Sequence, residues 1–257
     1  MNKVEPESSL HDDSAPTPID PLQRRAMGAR SIALMSGDTQ SLAPAQLEAK
    51  RLIHREYAES GMTDAFREIR TRLLELSDGQ NFTTLVVPMS AGSGGSFVAR
   101  NLALSFAFDP AKTSLLIDCD LRHPCQDRAF GIDAGRHGLI DYLEDPSLGI
   151  EPILHHTGIP RLRVIPAGQP AEMQEEYLSS FRMRAVIDSL RCRYPDRYLF
   201  LDGPPIKGAP DARILSDLAD FVVVVVGYGR DSAAAVNQAV AGFDPAKLAG
   251  LVFNELP

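Results

Sequence analysis

The segment Phe221-Val222-Val223-Val224-Val225-Val226 is a run of six apolar residues with no polar residue between them. A strand with one face in water alternates apolar and polar residues, whereas a strand that is covered on both faces is apolar throughout. This run therefore predicts a strand inside a parallel sheet, with helices packed on each side of it.

Similar segments recur along the chain. Five further predicted strands lie at residues 84–88, 114–118, 162–166, 198–201 and 251–253. Predicted helices lie at residues 97–108, 138–144, 176–193, 209–218 and 233–241. This alternation is typical of a doubly wound α/β fold, so we predict a mainly parallel sheet with helices on both faces.

The N-terminal part of the chain has a different composition. Residues 1–45 are rich in Ser, Pro, Asp and Gln, and they predict a disordered tail because they bury too little apolar surface to offset their ordering entropy. Residues 46–80 predict a helical arm, with a solvated helix within residues 43–60 and a second helix over residues 63–76. Residues 81–257 form the predicted α/β domain.

The charge balance limits the classes of function. The 257 residues include 26 Lys and Arg against 34 Asp and Glu, which gives a net charge of −8. This acidic excess argues against a general nucleic-acid binder, which needs a basic face for the phosphates. No segment approaches the roughly 20 apolar residues of a membrane helix, and the N-terminus lacks the apolar core of a signal peptide. We therefore expect a cytoplasmic protein that reaches a membrane through a partner.

The cysteines carry a weak signal. Cys119, Cys125 and Cys192 are an odd number and include no C-x-x-C pair. This pattern favours reduced, mostly buried thiols over a disulfide or a metal site.

Distinctive residues follow three of the predicted strands. The first strand leads into the small-residue loop Gly92-Ser93-Gly94-Gly95-Ser96 and then a helix, a pattern that predicts an anion-binding nest of backbone N–H groups. Asp118 and Asp120 follow the second of these strands, and Asp202 follows the third. Ligands bind at the carboxyl ends of strands in a doubly wound sheet, so these groups are candidates for one site. For Asp118 and Asp120, a turn with an Asp helix cap remains an open alternative.

Together these motifs resemble those of the bacterial tyrosine kinases that control capsular and exopolysaccharide synthesis, relatives of the MinD/ParA class of P-loop ATPases. The resemblance rests on Leu115-Leu116-Ile117-Asp118-Cys119-Asp120-Leu121-Arg122-His123-Pro124 and on Leu201-Asp202-Gly203-Pro204-Pro205, and it covers residues 64–257. It implies a P-loop NTPase-like, three-layer α/β/α fold that binds ATP or ADP with Mg²⁺.

The resemblance also implies roles for individual residues. The nucleotide would contact Gly92, Ser93, Gly94, Gly95, Ser96 and Phe97. Mg²⁺ would be held by Ser96, Asp118 and Asp202, and the catalytic carboxylates of an active protein would be Asp118 and Asp120.

Contacts with other chains are implied in the same way. Asp64, Arg67 and Arg70 lie on a helix that looks like the one through which family members self-associate, which implies a homo-oligomer. A solvated helix face with i, i+3 charge pairs is the alternative interpretation. The resemblance further implies a membrane chain-length-determinant protein, a polysaccharide co-polymerase, as partner at the inner face of the plasma membrane.

The chain departs from the family at the glycine loop. The family has a lysine where Gly95 stands, and residues 82–111 contain no lysine. Loss of such a charged contact costs on the order of 10²–10³ in the rate of phosphoryl transfer. Arg100 is interpreted as an exposed cation and Lys112 is expected at the other end of the sheet, so neither replaces the lysine. The last residues, 254–257, also lack the tyrosine cluster of active members, and autophosphorylation is not expected.

Three functions are compatible with these motifs. The first is a cytoplasmic regulator of exopolysaccharide or capsular polysaccharide synthesis and export, with impaired or absent phosphotransfer. The second is an active ATP-dependent protein-tyrosine autokinase, which takes the missing cation from a partner. The third is a positioning ATPase of the MinD/ParA type, which also needs the loop lysine, so that Gly95 counts against it.

Overall fold

The computed structural model describes residues 41–54, 61–133, 135–169, 174–207 and 210–254, with the backbone alone at residues 174 and 175. Most of the predicted N-terminal tail lies outside these ranges, as do the last residues of the predicted solvated helix. Among the helices in these ranges, none combines the length and the apolar character needed to cross a bilayer.

Strands and helices alternate along the described chain. The strands are β1 (Thr83–Pro88), β2 (Thr113–Asp118), β3 (His155–His156), β4 (Leu162–Ile165), β5 (Arg197–Asp202), β6 (Phe221–Gly227) and β7 (Leu248–Asn254). The helices are α1 (Pro44–Ala49), α2 (Gly61–Leu76), α3 (Gly95–Ala107), α4 (Gln126–Phe130), α5 (Leu139–Glu144), α6 (Gln174–Ser179), α7 (Phe181–Arg193), α8 (Asp211–Leu218) and α9 (Ala233–Val240).

The strands form one sheet in the order β3-β4-β2-β5-β1-β6-β7. Every neighbouring pair is parallel except β3 with β4, which is antiparallel. β2 and β5 lie side by side in a register that pairs Asp118 with Asp202. This topology confirms the predicted doubly wound sheet, and it places the carboxyl ends of β1, β5 and β2 next to one another.

Helices cover both faces of the sheet. β1, β2 and β5 are buried at every residue. Alternate residues of a strand point to opposite faces of the sheet. Leu85 and Val87 therefore pack in one apolar cluster, together with residues of α5, α7, α8 and α9. Val86 packs on the other face, in a second cluster with residues of α2 and α3. The apolar strands of the sequence therefore form the middle of the predicted three layers.

The prediction of a helix over residues 63–76 is confirmed by α2. Phe66 and Leu73 of this helix are buried against the sheet and α3. Leu76, at the end of the helix, is 39% exposed.

The prediction of a solvated helix over residues 43–60 is wrong beyond Ala49, within the residues described there. Helix α1 ends at Ala49, and Leu52 and Ile53 are 2% and 1% exposed. The backbone N–H of Ile53 donates to Asn101 Oδ1 at 2.9 Å, so this segment is fastened to the middle of α3. The prediction failed because Leu52 and Ile53, which follow α1, pack into the apolar cluster beneath α3.

One predicted helix is divided in the structure. Residues 176–193 form the end of α6 and the whole of α7, separated at Ser180. Ser180 caps α7 with its side chain, which accepts a hydrogen bond from the N–H of Met183 at 3.1 Å. Serine is among the most favourable N-cap residues, and this local hydrogen bond competes with a continuous helix.

Candidate functional site

The glycine loop, residues 92–96, joins β1 to α3 at the carboxyl edge of the sheet. Gly92 and Gly94 have φ angles of +77° and +87°, and Gly94 is the N-cap of α3. These left-handed values cost a residue with a Cβ about 1–2 kcal/mol, which explains the need for glycine at both positions. The first N–H groups of α3 have no acceptor within the helix, so the loop presents donors and the positive end of the helix dipole to an anion.

At residue 95, glycine is explained by a close contact rather than by its φ angle. A Cβ at this position would lie 2.6 Å from Cδ, 2.8 Å from Cγ and 2.9 Å from Cβ of Pro88. Distances this short are incompatible with a side chain at residue 95 unless the proline moves. The absence of the loop lysine is therefore tied to Pro88 at the end of β1, a connection that the sequence did not reveal.

Two buried carboxylates stand beside the loop. Asp118 and Asp202 end neighbouring strands, and both are 0% exposed. Asp118 Oδ2 accepts hydrogen bonds from the N–H groups of Cys125 at 2.9 Å and Gln126 at 3.0 Å. Gln126 Nε2 donates to Asp202 Oδ2 at 2.7 Å and to the carbonyl oxygen of Ser96 at 3.2 Å. Gln126 thus joins the second and third motifs to the glycine loop.

The other oxygens of this cluster are buried acceptors. Asp118 Oδ1, Asp202 Oδ1 and Gln126 Oε1 are buried and make no hydrogen bond within the described part of the chain. An unsatisfied buried acceptor costs about 1–3 kcal/mol, and more when it is charged. A cation is the partner that such a group of acceptors fits, so the residues present are compatible with a divalent metal ion.

The environment of the two carboxylates opposes their ionisation. Burial, and next the charge of Asp202, raise the pKa of Asp118 well above its usual value. Burial is also the largest cause that raises the pKa of Asp202 from 3.8 to about 6, against the lowering effect of its hydrogen bond from Gln126. Burial raises the pKa of the Cys125 thiol to about 11.

Asp120 lies at the edge of this cluster. It is 9% exposed, and its Oδ1 accepts a hydrogen bond from the N–H of His123 at 3.2 Å. This contact within a turn agrees with the alternative interpretation of Asp120 as a turn residue. Asp118 is both a cap, through its bonds to the start of α4, and a member of the buried pair.

Arg100 is not the exposed cation that the sequence suggested. It is half-buried, and its Nε donates to the carbonyl oxygen of Ser96 at 3.0 Å. Its positive charge partly offsets the effect of burial, which raises the pKa of both Asp202 and Cys125. Lys112 lies where it was expected, at the other end of β2, where it donates to Asn81 Oδ1 at 2.6 Å.

Two further cations lie near the residues that lead into the glycine loop. Arg230 Nη1 donates to the carbonyl oxygen of Ala91 at 3.1 Å. Lys207 Nζ contacts Asp231 Oδ1 at 2.5 Å, and Asp231 also accepts a hydrogen bond from Ser90 Oγ at 3.0 Å. Their distance in the sequence from residues 90–92 hid these contacts from the sequence analysis.

The remaining predicted residues make contacts with other parts of the chain. The ring of Phe97 packs edge-on against Phe66 of α2, with ring centroids 6.2 Å apart. Asp64 and Arg67 form an exposed ion pair of 3.2 Å on α2. Arg70 instead faces α3, where its Nη1 donates to the carbonyl oxygen of Ser105 at 3.0 Å. Asp64 and Arg67 are therefore available to another chain, whereas Arg70 is engaged within this one.

The sequence analysis missed Gln126 as a member of the site and did not connect Cys125 with it. Both follow Pro124 directly, at the end of the second motif. The sequence contained a signal for this placement. A turn that starts at Asp118 and leads into a helix brings the first residues of that helix back to the end of the strand.

Comparisons with known proteins show that the chain is similar to bacterial tyrosine-protein kinases. YwqD, a tyrosine-protein kinase of Bacillus subtilis, is 33% identical over 196 residues, which cover 75% of this chain and 80% of that protein. EpsB of Ralstonia solanacearum is 30% identical over 226 residues, which cover 85% of this chain. The chimerical protein CapA2B2 has a solved structure that matches with a TM-score of 0.71 at 26% identity, over 80% of this chain and 90% of that one. No protein-family model matches the chain.

The relatives differ in length. The chain spans 30% of the length of EpsB, in contrast to four-fifths of YwqD. The similarity to EpsB therefore concerns one part of a larger protein.

Proposed function

Because this chain belongs to the family of bacterial tyrosine kinases, we propose that it is a member with impaired or absent phosphotransfer, which regulates the synthesis and export of an exopolysaccharide or capsular polysaccharide. The observation that carries the proposal is the pair Gly95 and Pro88. The carbon atoms of the proline fill the place where a side chain of residue 95 would begin. The loop is therefore built without the lysine that neutralises the charge of the transferred phosphate.

The retained parts of the site support binding of a nucleotide. The glycine loop and the first turn of α3 offer backbone donors to the phosphates of ATP or ADP. Ser96, Asp118 and Asp202 would hold Mg²⁺, which when bound neutralises charge on the phosphates. Asp118 would orient the attacking hydroxyl group, with Asp120 beside it. Binding without the lysine would be weaker than in a complete loop.

The proposed partners follow the family. A membrane chain-length-determinant protein would bring the chain to the inner face of the plasma membrane, and no nucleic acid is involved. The net charge of −8 agrees with the proposal that the chain does not bind nucleic acid. The chain would act as a cytoplasmic homo-oligomer that responds to nucleotide by changing its contacts rather than by transferring phosphate.

The active kinase remains the rival function, and the cations near the loop favour it. Arg230 contacts Ala91 and Arg100 contacts Ser96, at the two ends of the loop, and Lys207 lies nearby, so the missing charge need not come from a partner. A positioning ATPase of the MinD/ParA type is the second rival, and it has the same need for the lysine.

Nucleotide binding and phosphotransfer test the proposal separately. Calorimetric titration is expected to show Mg·ADP binding to the purified chain, with an affinity that falls by at least about tenfold in Asp202→Asn, a loss of about 1.4 kcal/mol. Incubation with radiolabelled ATP, with and without the membrane partner, is expected to leave every tyrosine unlabelled. Labelling of a tyrosine in the unaltered chain at the rate of a lysine-bearing relative would establish the active kinase instead.

Substitutions on α2 test the proposed homo-oligomer. Arg67→Glu is expected to reduce self-association in sedimentation velocity without changing the melting temperature, because Arg67 is exposed and pairs only with Asp64 in the described structure. Arg70→Ala is expected to destabilise the fold by about 1 kcal/mol, since it removes a hydrogen bond to α3. Arg72→Glu is the charge-matched control, about 140° further around the helix. Equal self-association of Arg67→Glu and the parent protein would remove α2 from the proposed interface.

A further inference from the structure

The acidic pair has a third potential metal ligand, the thiol of Cys125. One ligand atom each of Asp118, Cys125 and Asp202 lie within 4.8 Å of one another. The two carboxylates come from adjacent strands, and the thiol comes from the turn that connects β2 to α4. The three residues are thus brought together by the sheet register and by one short turn.

Unpartnered oxygens point to a ligand at this cluster. Asp118, Asp202 and Gln126 are each 0% exposed. Each nevertheless has one oxygen that makes no hydrogen bond within the described residues, namely Asp118 Oδ1, Asp202 Oδ1 and Gln126 Oε1. The nearby guanidinium of Arg100 gives its Nε hydrogen to the carbonyl oxygen of Ser96. A cation bound between the carboxylates would satisfy acceptors that the protein itself leaves open.

The surroundings hold the ligands in place. The N–H groups of Cys125 and Gln126 both donate to Asp118 Oδ2, which orients this carboxylate and leaves Oδ1 for another partner. The amide of Gln126 fixes Asp202 in the same way through Oδ2. Hydrogen bonds of this kind, behind the ligands, orient metal sites and strengthen them by about 10–100-fold.

The donor set favours a particular class of metal ion. Mg²⁺ takes oxygen ligands at near-octahedral geometry, and a sulfur ligand is unsuited to it. Two carboxylates and one thiolate suit a borderline-soft ion such as Zn²⁺, which binds sulfur and oxygen in four-coordinate sites. We propose that Asp118, Cys125 and Asp202 form a site for a thiophilic divalent cation of the Zn²⁺ class, which binds to the protein without nucleotide. The thiol proton passes to solvent when the sulfur–metal bond forms.

At this site, the thiophilic ion would bind to the same two carboxylates that are proposed to hold Mg²⁺ with nucleotide. Mg²⁺ with nucleotide and the thiophilic ion alone would exclude each other, because both require Asp118 and Asp202. The inference does not depend on nucleotide binding, and its test contains no nucleotide.

Cobalt(II) is the probe for the test, because a cobalt–thiolate bond has an intense near-ultraviolet charge-transfer band. Titration of the purified, metal-free chain with Co²⁺ is expected to produce this band at a 1:1 ratio of cobalt to protein. Zn²⁺ is expected to abolish the band, whereas Mg²⁺ at the same concentration is not. Cys125→Ser is expected to lack the band. Its affinity for Zn²⁺ is expected to be at least about tenfold lower, which corresponds to about 1.4 kcal/mol. The exposed Cys192, replaced by serine, is the matched control and is expected to behave as the parent protein.

Several outcomes would overturn the inference. These are the absence of the band in the parent protein, its persistence in Cys125→Ser, and displacement of Co²⁺ by Mg²⁺ as readily as by Zn²⁺. If Cys125→Ser does not fold, X-ray absorption of the zinc-loaded parent protein replaces it. One sulfur at about 2.3 Å together with oxygen neighbours is then expected, and a shell of oxygen alone would refute the site.

Discussion

Gly95→Lys, made alone, is expected to lower the melting temperature of the protein rather than to restore a working phosphate loop. The new Cβ would lie 2.6–2.9 Å from three carbon atoms of Pro88. Overpacking of this kind costs about 1–3 kcal/mol. For a chain of this size, that corresponds to a decrease of about 2–12 °C in the melting temperature, which thermal unfolding followed by circular dichroism measures directly.

The double variant Pro88→Ala, Gly95→Lys is expected to reverse this effect. Alanine removes the two closest carbon atoms, Cδ and Cγ, so the lysine side chain can leave the backbone after a shift of a few tenths of an ångström. Calorimetry is expected to show Mg·ATP binding at least about tenfold tighter than in the parent protein, a gain of about 1.4 kcal/mol. The added ammonium group supplies the charge for the β- and γ-phosphates.

Pro88→Ala alone is the control for this experiment and is expected to leave nucleotide affinity unchanged, since it adds no charge. A stable Gly95→Lys single variant with tighter binding would show that Pro88 is no obstacle. A folded double variant without any gain in affinity would show that the glycine loop no longer receives a nucleotide.

Asp202→Asn is expected to stabilise the metal-free protein at about pH 7.5 by about 2–3 kcal/mol. The folded protein raises the pKa of Asp202 from 3.8 to about 6, chiefly through burial. Each unit of such a shift corresponds to about 1.4 kcal/mol. Asparagine stays neutral, and it keeps an oxygen that can accept the hydrogen bond from Gln126.

The direction of the pH dependence follows from this raised pKa. Between pH 3.8 and about 6, the folded chain holds more protons at residue 202 than the unfolded chain does. The contribution of Asp202 is therefore fully present below pH 3.8 and is lost as the pH rises through about 6. Urea unfolding in a chelating buffer is expected to show this decline in the parent protein and a flatter profile in Asp202→Asn.

The exposed Asp217 supplies the matched control, and Asp217→Asn is expected to follow the pH profile of the parent protein. Removing the charge of Asp202 also removes the second cause of the raised pKa of Asp118, so the stabilisation is expected to exceed a purely local effect. An Asp202→Asn protein less stable than its parent at neutral pH would mean that the carboxylate pair is satisfied by groups that the metal-free fold supplies.

A stabilised Asp202→Asn protein would instead show that the carboxylates serve the function of the site rather than the stability of the fold. A buried pair of like charges lowers stability, and functional sites commonly carry costs of this kind. The proposed metal ion would offset the cost, so Zn²⁺ or Mg·nucleotide is expected to stabilise the parent protein but not Asp202→Asn.

The sequence by itself determined the fold class and the edge of the sheet where the site lies. Apolar runs such as residues 221–226 require cover on both faces, and that requirement is local, so it can be recognised without knowing any long-range contact. The motifs at the glycine loop, Asp118 and Asp202 follow strands, and parallel strands end at one edge. Their neighbourhood could therefore be predicted before the order of the strands was known.

Only the tertiary structure decided how these groups meet. The register of β2 with β5 places Asp118 opposite Asp202, and the turn after β2 brings Cys125 and Gln126 back to them. The contact between Pro88 and Gly95 likewise depends on how a strand end approaches a helix start. Side-chain packing and strand register are set by the whole chain at once, because each contact depends on atoms far apart in the sequence, whereas hydrophobic periodicity is a property of each segment alone.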